Sequence, residues 1–110
     1  LGVHLAYMTM ASGLGMEVQI ADLLTDDSLG KPDSAACLFS ESAGRFIVTV
    51  APDKKEVFEK MFAGMACACI GQVADTHDHL KITGPDGEDL IDLSAAQLST
   101  AFNQAFGEMI

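Results

Sequence analysis

Apolar residues in this chain change period within its first twenty positions, and that change narrows the folds open to it. Leu1, Leu5 and Met8 recur at helical spacing with Val3 and Ala6 beside them. The run stops at Ser12-Gly13, where glycine can take the left-handed conformation that closes a helix. Leu14, Met16, Val18 and Ile20 then alternate with Gly15, Glu17 and Gln19, the period of a strand with one buried face. The close-set Gly13 and Gly15 are explained by a helix stop followed by that strand, without a phosphate-cradling turn. A helix leading directly into a half-buried strand requires a layered α+β domain, since each element must bury its apolar side on the other.

The remaining elements follow the same logic. Residues 21 to 34, with Asp22, Asp26, Asp27, Gly30, Pro32 and Asp33, lose all periodicity and read as a long acidic loop. Ala35 to Ser40 and Arg45 to Val50 read as two strands, the second rich in β-branched residues, and the four residues between them predict a hairpin. Pro52-Asp53-Lys54-Lys55-Glu56 reads as a helix start with Asp53 and Glu56 as a capping box. Val57, Phe58, Met61, Phe62 and Met65 form that helix's predicted buried stripe, ended by Gly64 and the strand-like residues beyond. Cys67 to Asp75 is a small-residue strand, and Leu80 to Thr83 pairs with Leu90 to Leu93 across the turn Gly84-Pro85-Asp86-Gly87. Ser94 with Gln97 is a second capping box, opening a helix whose inner face carries Leu98, Ala101, Phe102, Ala105, Phe106 and Met109. The expected architecture is a single domain over residues 1–110 in which helices pack on a mixed, mainly antiparallel sheet.

Within this plan the tract from Leu38 to Val50 holds the densest chemistry. Ser40, Glu41, Ser42 and Gly44 sit between two apolar runs, and Arg45 is the only arginine of the chain. Hydroxyls, a backbone freed by glycine and a planar cation together suit the oxygens of a phosphate or carboxylate. The same residues also fit an ordinary polar turn, with the serines bonding their own backbone and Glu41 paired with Arg45.

Charge decides which partners are open to the chain. Sixteen acidic residues against six basic ones leave a net charge of −10, a field that repels nucleic acid and anionic membrane surfaces. It also opposes a phosphorylated ligand, so any anion site needs help from Arg45, backbone N–H groups, a metal ion or a second domain. No apolar run approaches the ~20 residues of a membrane-spanning helix. Cys37, Cys67 and Cys69 make an odd count within apolar runs, from which reduced, buried thiols and a cytoplasmic setting are expected. The first helix begins in mid-pattern, without an initiator methionine or a charged leader, as in a C-terminal fragment of a longer chain.

Other constellations favour structural roles. His77-Asp78-His79 invites a metal, but no further ligands stand at familiar spacing, and solvated turn residues explain it better. Cys67 and Cys69 share a strand face without a second pair to complete a zinc framework. Asp26 and Asp27, and likewise Asp86, Glu88 and Asp89, lie in loops beside glycine and proline, where carboxylates serve turn bonding more than acid–base work. No phosphate-binding loop of the G-x-x-x-x-G-K-[ST] type and no nucleophile elbow occurs, so the sequence carries no complete catalytic apparatus.

The order of motifs resembles the C-terminal domain of the synthetase subunit of the small, multi-subunit phosphoribosylformylglycinamidine synthases. The likeness is carried by Leu1-Gly2-Val3 through Ser12-Gly13-Leu14-Gly15, by the FSES tract followed by Arg45, by Ile70-Gly71-Gln72-Val73, and by Leu90-Ile91-Asp92-Leu93-Ser94 entering the last helix. Aminoimidazole ribonucleotide synthetase, selenophosphate synthetase, thiamine-monophosphate kinase and a hydrogenase maturation protein share the wider fold, and the FSES tract with Arg45 favours the formylglycinamidine branch.

The resemblance implies an ATP- and magnesium-dependent conversion of a formylglycinamide ribonucleotide to its amidine, by phosphorylation of the amide oxygen and attack of ammonia released on a glutaminase subunit. It further implies three protein partners: the chain's own N-terminal domain, which in that family holds most ATP and metal ligands, the glutaminase, and a small accessory subunit. Ser40, Glu41, Ser42 and Arg45 are then contacts for the phosphorylated substrate on one wall of a cleft, and the fragment alone is expected to be inactive. The rival expectation is a free-standing acidic module that binds a protein through a sheet edge or helix face.

Overall fold

A computed structural model describes residues 1–23, 33–39 and 45–107, with side chains up to residue 104 in the last helix. The chain enters helix α1 (Gly2–Ser12), which stops where Gly13 adopts φ 70° and donates its N–H to Thr9 O, as the Ser12-Gly13 signal predicts. Strand β1 (Gly15–Gln19) follows, with Met16 and Val18 buried and Ile20 buried just beyond it. Three further strands, β2 (Gly71–Ala74), β3 (His79–Thr83) and β4 (Asp89–Ser94), complete a sheet of order β2-β1-β3-β4. β1 runs antiparallel to β2 and parallel to β3, and β3 runs antiparallel to β4, so the sheet is mixed as expected.

The register sorts the side chains into two faces. Met16 stands beside Leu80, and Val18 beside Ile82. Leu5 of α1 and Leu38 close over these four residues and Ile20 to form the core. In the next row Gln72, Glu17, Lys81 and Asp92 lie side by side across all four strands, a polar row on the opposite face. Helix α4 (Ala95–Gly107) opens on the predicted capping box: Ser94 N–H donates to Gln97 Oε1 at 2.9 Å, and Gln97 N–H to Ser94 Oγ at 3.1 Å. Its Leu98 packs against the core, and Phe102 meets Tyr7 of α1 edge to face, with ring centroids 5.9 Å apart.

Several expectations are corrected. The segment expected as a strand at 35–40 is a short helix, α2 (Ser34–Phe39), because Asp33 caps it: Ala36 N–H donates to Asp33 Oδ1 at 2.7 Å and Cys37 N–H to Asp33 O at 3.0 Å. Residues 45–50 join no strand of the sheet, so the predicted hairpin does not form; Ile47 touches the core while Phe46 is 88% exposed. The expected Asp53–Glu56 box is also absent: a 3₁₀ turn at Pro52–Lys54 precedes α3 (Lys55–Met61), and neither start has a side-chain cap. Helix α3 buries none of its residues; Phe58 and Phe62 are half-buried against each other, and Val57, Met61 and Met65 are exposed. The strand expected from Cys67 begins only at Gly71. Cys67 and Cys69 are exposed and Cys37 half-buried, so the thiols are free but not the buried ones expected.

One buried group is costly. Thr9 is 0% exposed, and among the described residues its hydroxyl has no hydrogen-bond partner. Valine keeps the shape and removes the unsatisfied hydroxyl, so Thr9→Val is expected to raise stability by about 1 kcal/mol, read as a higher urea midpoint at unchanged m.

Candidate functional site

Two regions gather polar chemistry. The first is the amino end of α1. The backbone nitrogen of Leu1 donates to Leu38 O at 3.2 Å, and Gly2 is buried where an added Cβ would sit 3.4 Å from that oxygen and 3.7 Å from the Phe39 ring. The close approach of α1 to the end of α2 therefore brings Phe39, the first residue of the FSES tract, beside a helix amino end. Among the described residues that end has no side-chain cap, no acidic residue stands in its first turn, and the helical bonding pattern leaves backbone N–H groups over. Ser40, Glu41 and Ser42 lie outside the described residues. Arg45 is exposed at the head of the unpaired segment 45–50.

The second region is built around His77-Asp78-His79, which lies at the turn between β2 and β3 where the sequence places it and which also joins four elements. Gly15 N–H donates to His77 O at 2.8 Å and Ala95 N–H to Asp78 O at 2.9 Å, tying β1 and the first residue of α4 to this tripeptide. An added Cβ at Gly15 would collide with the His77 ring, so glycine is required for the approach. On the polar face of the sheet, His79 Nδ1 lies 2.6 Å from Asp92 Oδ1, and His79 Nε2 lies 3.8 Å from Asp78 Oδ1. His77 Nε2 faces Glu17 Oε1 at 3.6 Å while its Nδ1 accepts the His79 N–H at 3.1 Å. The hydrogen bond from His79 holds the Asp92 carboxyl below its ordinary range. Glu17 and Asp92 were not foreseen as partners. Strand alternation puts Glu17 on the polar face, but only the register shows that it and Asp92 border the histidine strand.

Among the described residues no three histidine, cysteine or carboxylate side chains converge to hold a metal ion. Gln19, Asp22, Cys69, Gly71 and Gln72 line an open groove of about 210 Å³ at the β1–β2 edge. This is below the ~300–1,000 Å³ usual for a small-molecule pocket, and Arg45 does not line it. The loop carboxylates Asp86, Glu88 and Asp89 behave as turn residues, Glu88 Oε2 accepting the Asp86 N–H at 2.9 Å. Among the described residues no helix is long and apolar enough to cross a membrane.

The family model described as AIR synthase related protein, C-terminal domain, matches residues 1–82. The chain belongs to this family. The AIR synthase related domain described here is also similar to curated proteins named "Phosphoribosylformylglycinamidine synthase subunit PurL". It is 36% identical to that of Limosilactobacillus reuteri (strain DSM 20016) over 105 residues, covering 96% of this chain and 12% of the relative. It is 31% identical to that of Synechocystis sp. over 112 residues and 33% identical to that of Methanococcus aeolicus over 110, in each case covering 100% of this chain and 14% of the relative. The AIR synthase related domain thus spans about one-eighth of the length of the curated relatives it matches. No solved structure matches it. Its mixed α+β architecture is the one the resemblance implied.

Proposed function

We propose that this chain is the C-terminal domain of a phosphoribosylformylglycinamidine synthase of purine biosynthesis and supplies one wall of its active-site cleft. The observation that carries the reading is the meeting of α1 and α2. It sets the amino end of α1 beside Leu38 and Phe39, where the FSES tract begins. A helix amino end offers backbone N–H groups to an anion, and Arg45 is the residue type suited to bidentate contact with phosphate oxygens. In a chain of net charge −10 these donors are needed to hold a phosphorylated ribonucleotide at all.

Ser40 and Ser42 donate hydroxyls to the substrate in this reading, and Glu41 and Arg45 fix its orientation. Magnesium and the ATP it accompanies are assigned to the preceding N-terminal domain, as the resemblance implies. Ammonia comes from a glutaminase subunit, with the small accessory subunit completing the cytoplasmic assembly, and the isolated chain is inactive. The relatives' much greater length favours this domain role over a free-standing interaction module.

Arg45→Ala in the full-length enzyme is the test. Losing a charge-assisted hydrogen bond costs about 1.5–3 kcal/mol, so KM for the ribonucleotide is expected to rise roughly 10- to 100-fold. Because Arg45 is exposed, the melting temperature is expected to stay within about 2 °C. Arg45→Lys should recover part of the loss. An unchanged dependence of rate on ribonucleotide concentration would remove Arg45 from the site.

A further inference from the structure

The junction at His77-Asp78-His79 has no part in the reading above, and its hydrogen bonds give its two rings different roles. His77 Nδ1 accepts the backbone N–H of His79, so that nitrogen has no free lone pair for a second proton. His79 differs: its Nδ1 is engaged by Asp92 Oδ1 at 2.6 Å, and its Nε2 faces Asp78 Oδ1 at 3.8 Å. A proton gained at Nε2 makes the ring an imidazolium between two carboxylates, one from β4 and one from the residue whose carbonyl receives the first N–H of α4.

We propose that His79 is a proton-operated clasp: on mild acidification it draws Asp78 and Asp92 together and tightens the anchorage of the α4 start to the sheet. The charged groups facing the two rings are Glu17 from β1, Asp78 beside them, Lys81 further along β3 in register with Asp92, and Asp92 from β4. The first turn of α4 brings no acidic residue. Histidine is the side chain suited to gaining a proton on mild acidification. The lower limit comes from the carboxylates. Asp92 is held below its ordinary value of 3.8 chiefly by the His79 hydrogen bond, so its contribution is present above that value and is lost as pH falls through the lowered one.

The test is amide hydrogen exchange, in the intact protein, at Ala95, whose N–H is bonded to Asp78 O. Protection factors, which remove the intrinsic pH dependence of exchange, are compared at pH 8 and pH 5.5. The Ala95 protection factor is expected to rise roughly 1.5- to 5-fold at the lower pH, the modest effect of a solvent-exposed ion pair. His79→Gln, which can still donate to Asp92 but cannot titrate, should abolish the rise. Asp78→Asn, a change at an exposed carboxylate, should abolish it while leaving the His79–Asp92 contact in place. An equal protection factor at both pH values in the unaltered protein, or a full rise surviving either substitution, would overturn the clasp.

Discussion

Replacing Leu80 with alanine is expected to lower the free energy of unfolding by about 3 kcal/mol. Leu80 is 1% exposed at the centre of the sheet, in register with Met16 on one side and Leu93 on the other, and within the cluster closed by Leu5 and Leu38. Truncation removes its transfer free energy and leaves a cavity, because strands paired on both sides cannot move in to fill it. Against a total stability of roughly 5–15 kcal/mol this is a large fraction, and it should appear as a lower urea midpoint at unchanged slope. Lys81→Ala, one position along on the polar face, is the control and should change stability by about 0.5 kcal/mol or less. Equal losses at the two positions would mean that the core does not lie on the Leu80 side of the sheet.

Gly71→Ala has the next largest expected effect, by the opposite mechanism. An added Cβ would be driven into the Glu17 carbonyl oxygen and would lie 2.8 Å from Val18 Cα. Both obstacles are backbone of the neighbouring strand, so no side-chain rotation relieves them and β2 must move away from β1. Overpacking of this kind costs about 1–3 kcal/mol, and the upper end is expected here. The loss should be local, with faster amide exchange at Gln19, whose N–H is bonded to Ile70 O at 2.8 Å. Gly84→Ala provides the contrast, because the atoms nearest its Cβ belong to the Glu88 side-chain carboxylate, which can turn aside at the cost of its bond from Asp86 N–H rather than of a strand movement. Comparable destabilisation at both glycines would refute the backbone argument.

What could be read from the residues divides along the range of the forces involved. The Gly13 stop, the Ser94–Gln97 box and the Gly84–Gly87 turn are set by atoms a few positions apart, and each forms as predicted. The α2 helix is legible too, since Asp33 stands three residues before Ala36 in a small-residue run that favours helix, but the apolar character of Ala35 to Phe39 equally suits a strand. Segment 45–50 shows the limit. Its β-branched alternation is a statement about side-chain fit, whereas strand status requires a partner that the pattern does not name. The stripe on α3 likewise describes a face without stating what lies against it. At the candidate site, residue chemistry singled out Arg45 and the His77–His79 pair, but the company of Glu17 and Asp92 comes from a register fixed by contacts more than sixty residues apart in one case and thirteen in the other.

Because β1 occupies an interior place between β2 and β3, its two neighbours are translated only after residue 70. At ~5–20 residues per second, a ribosome leaves residues 15–19 waiting several seconds before either side can be paired. Throughout that interval both hydrogen-bonding edges of β1 stay open beside the apolar Met16 and Val18. Early hairpin closure is therefore not open to β1, and its two edges are where wrong pairing during synthesis would start.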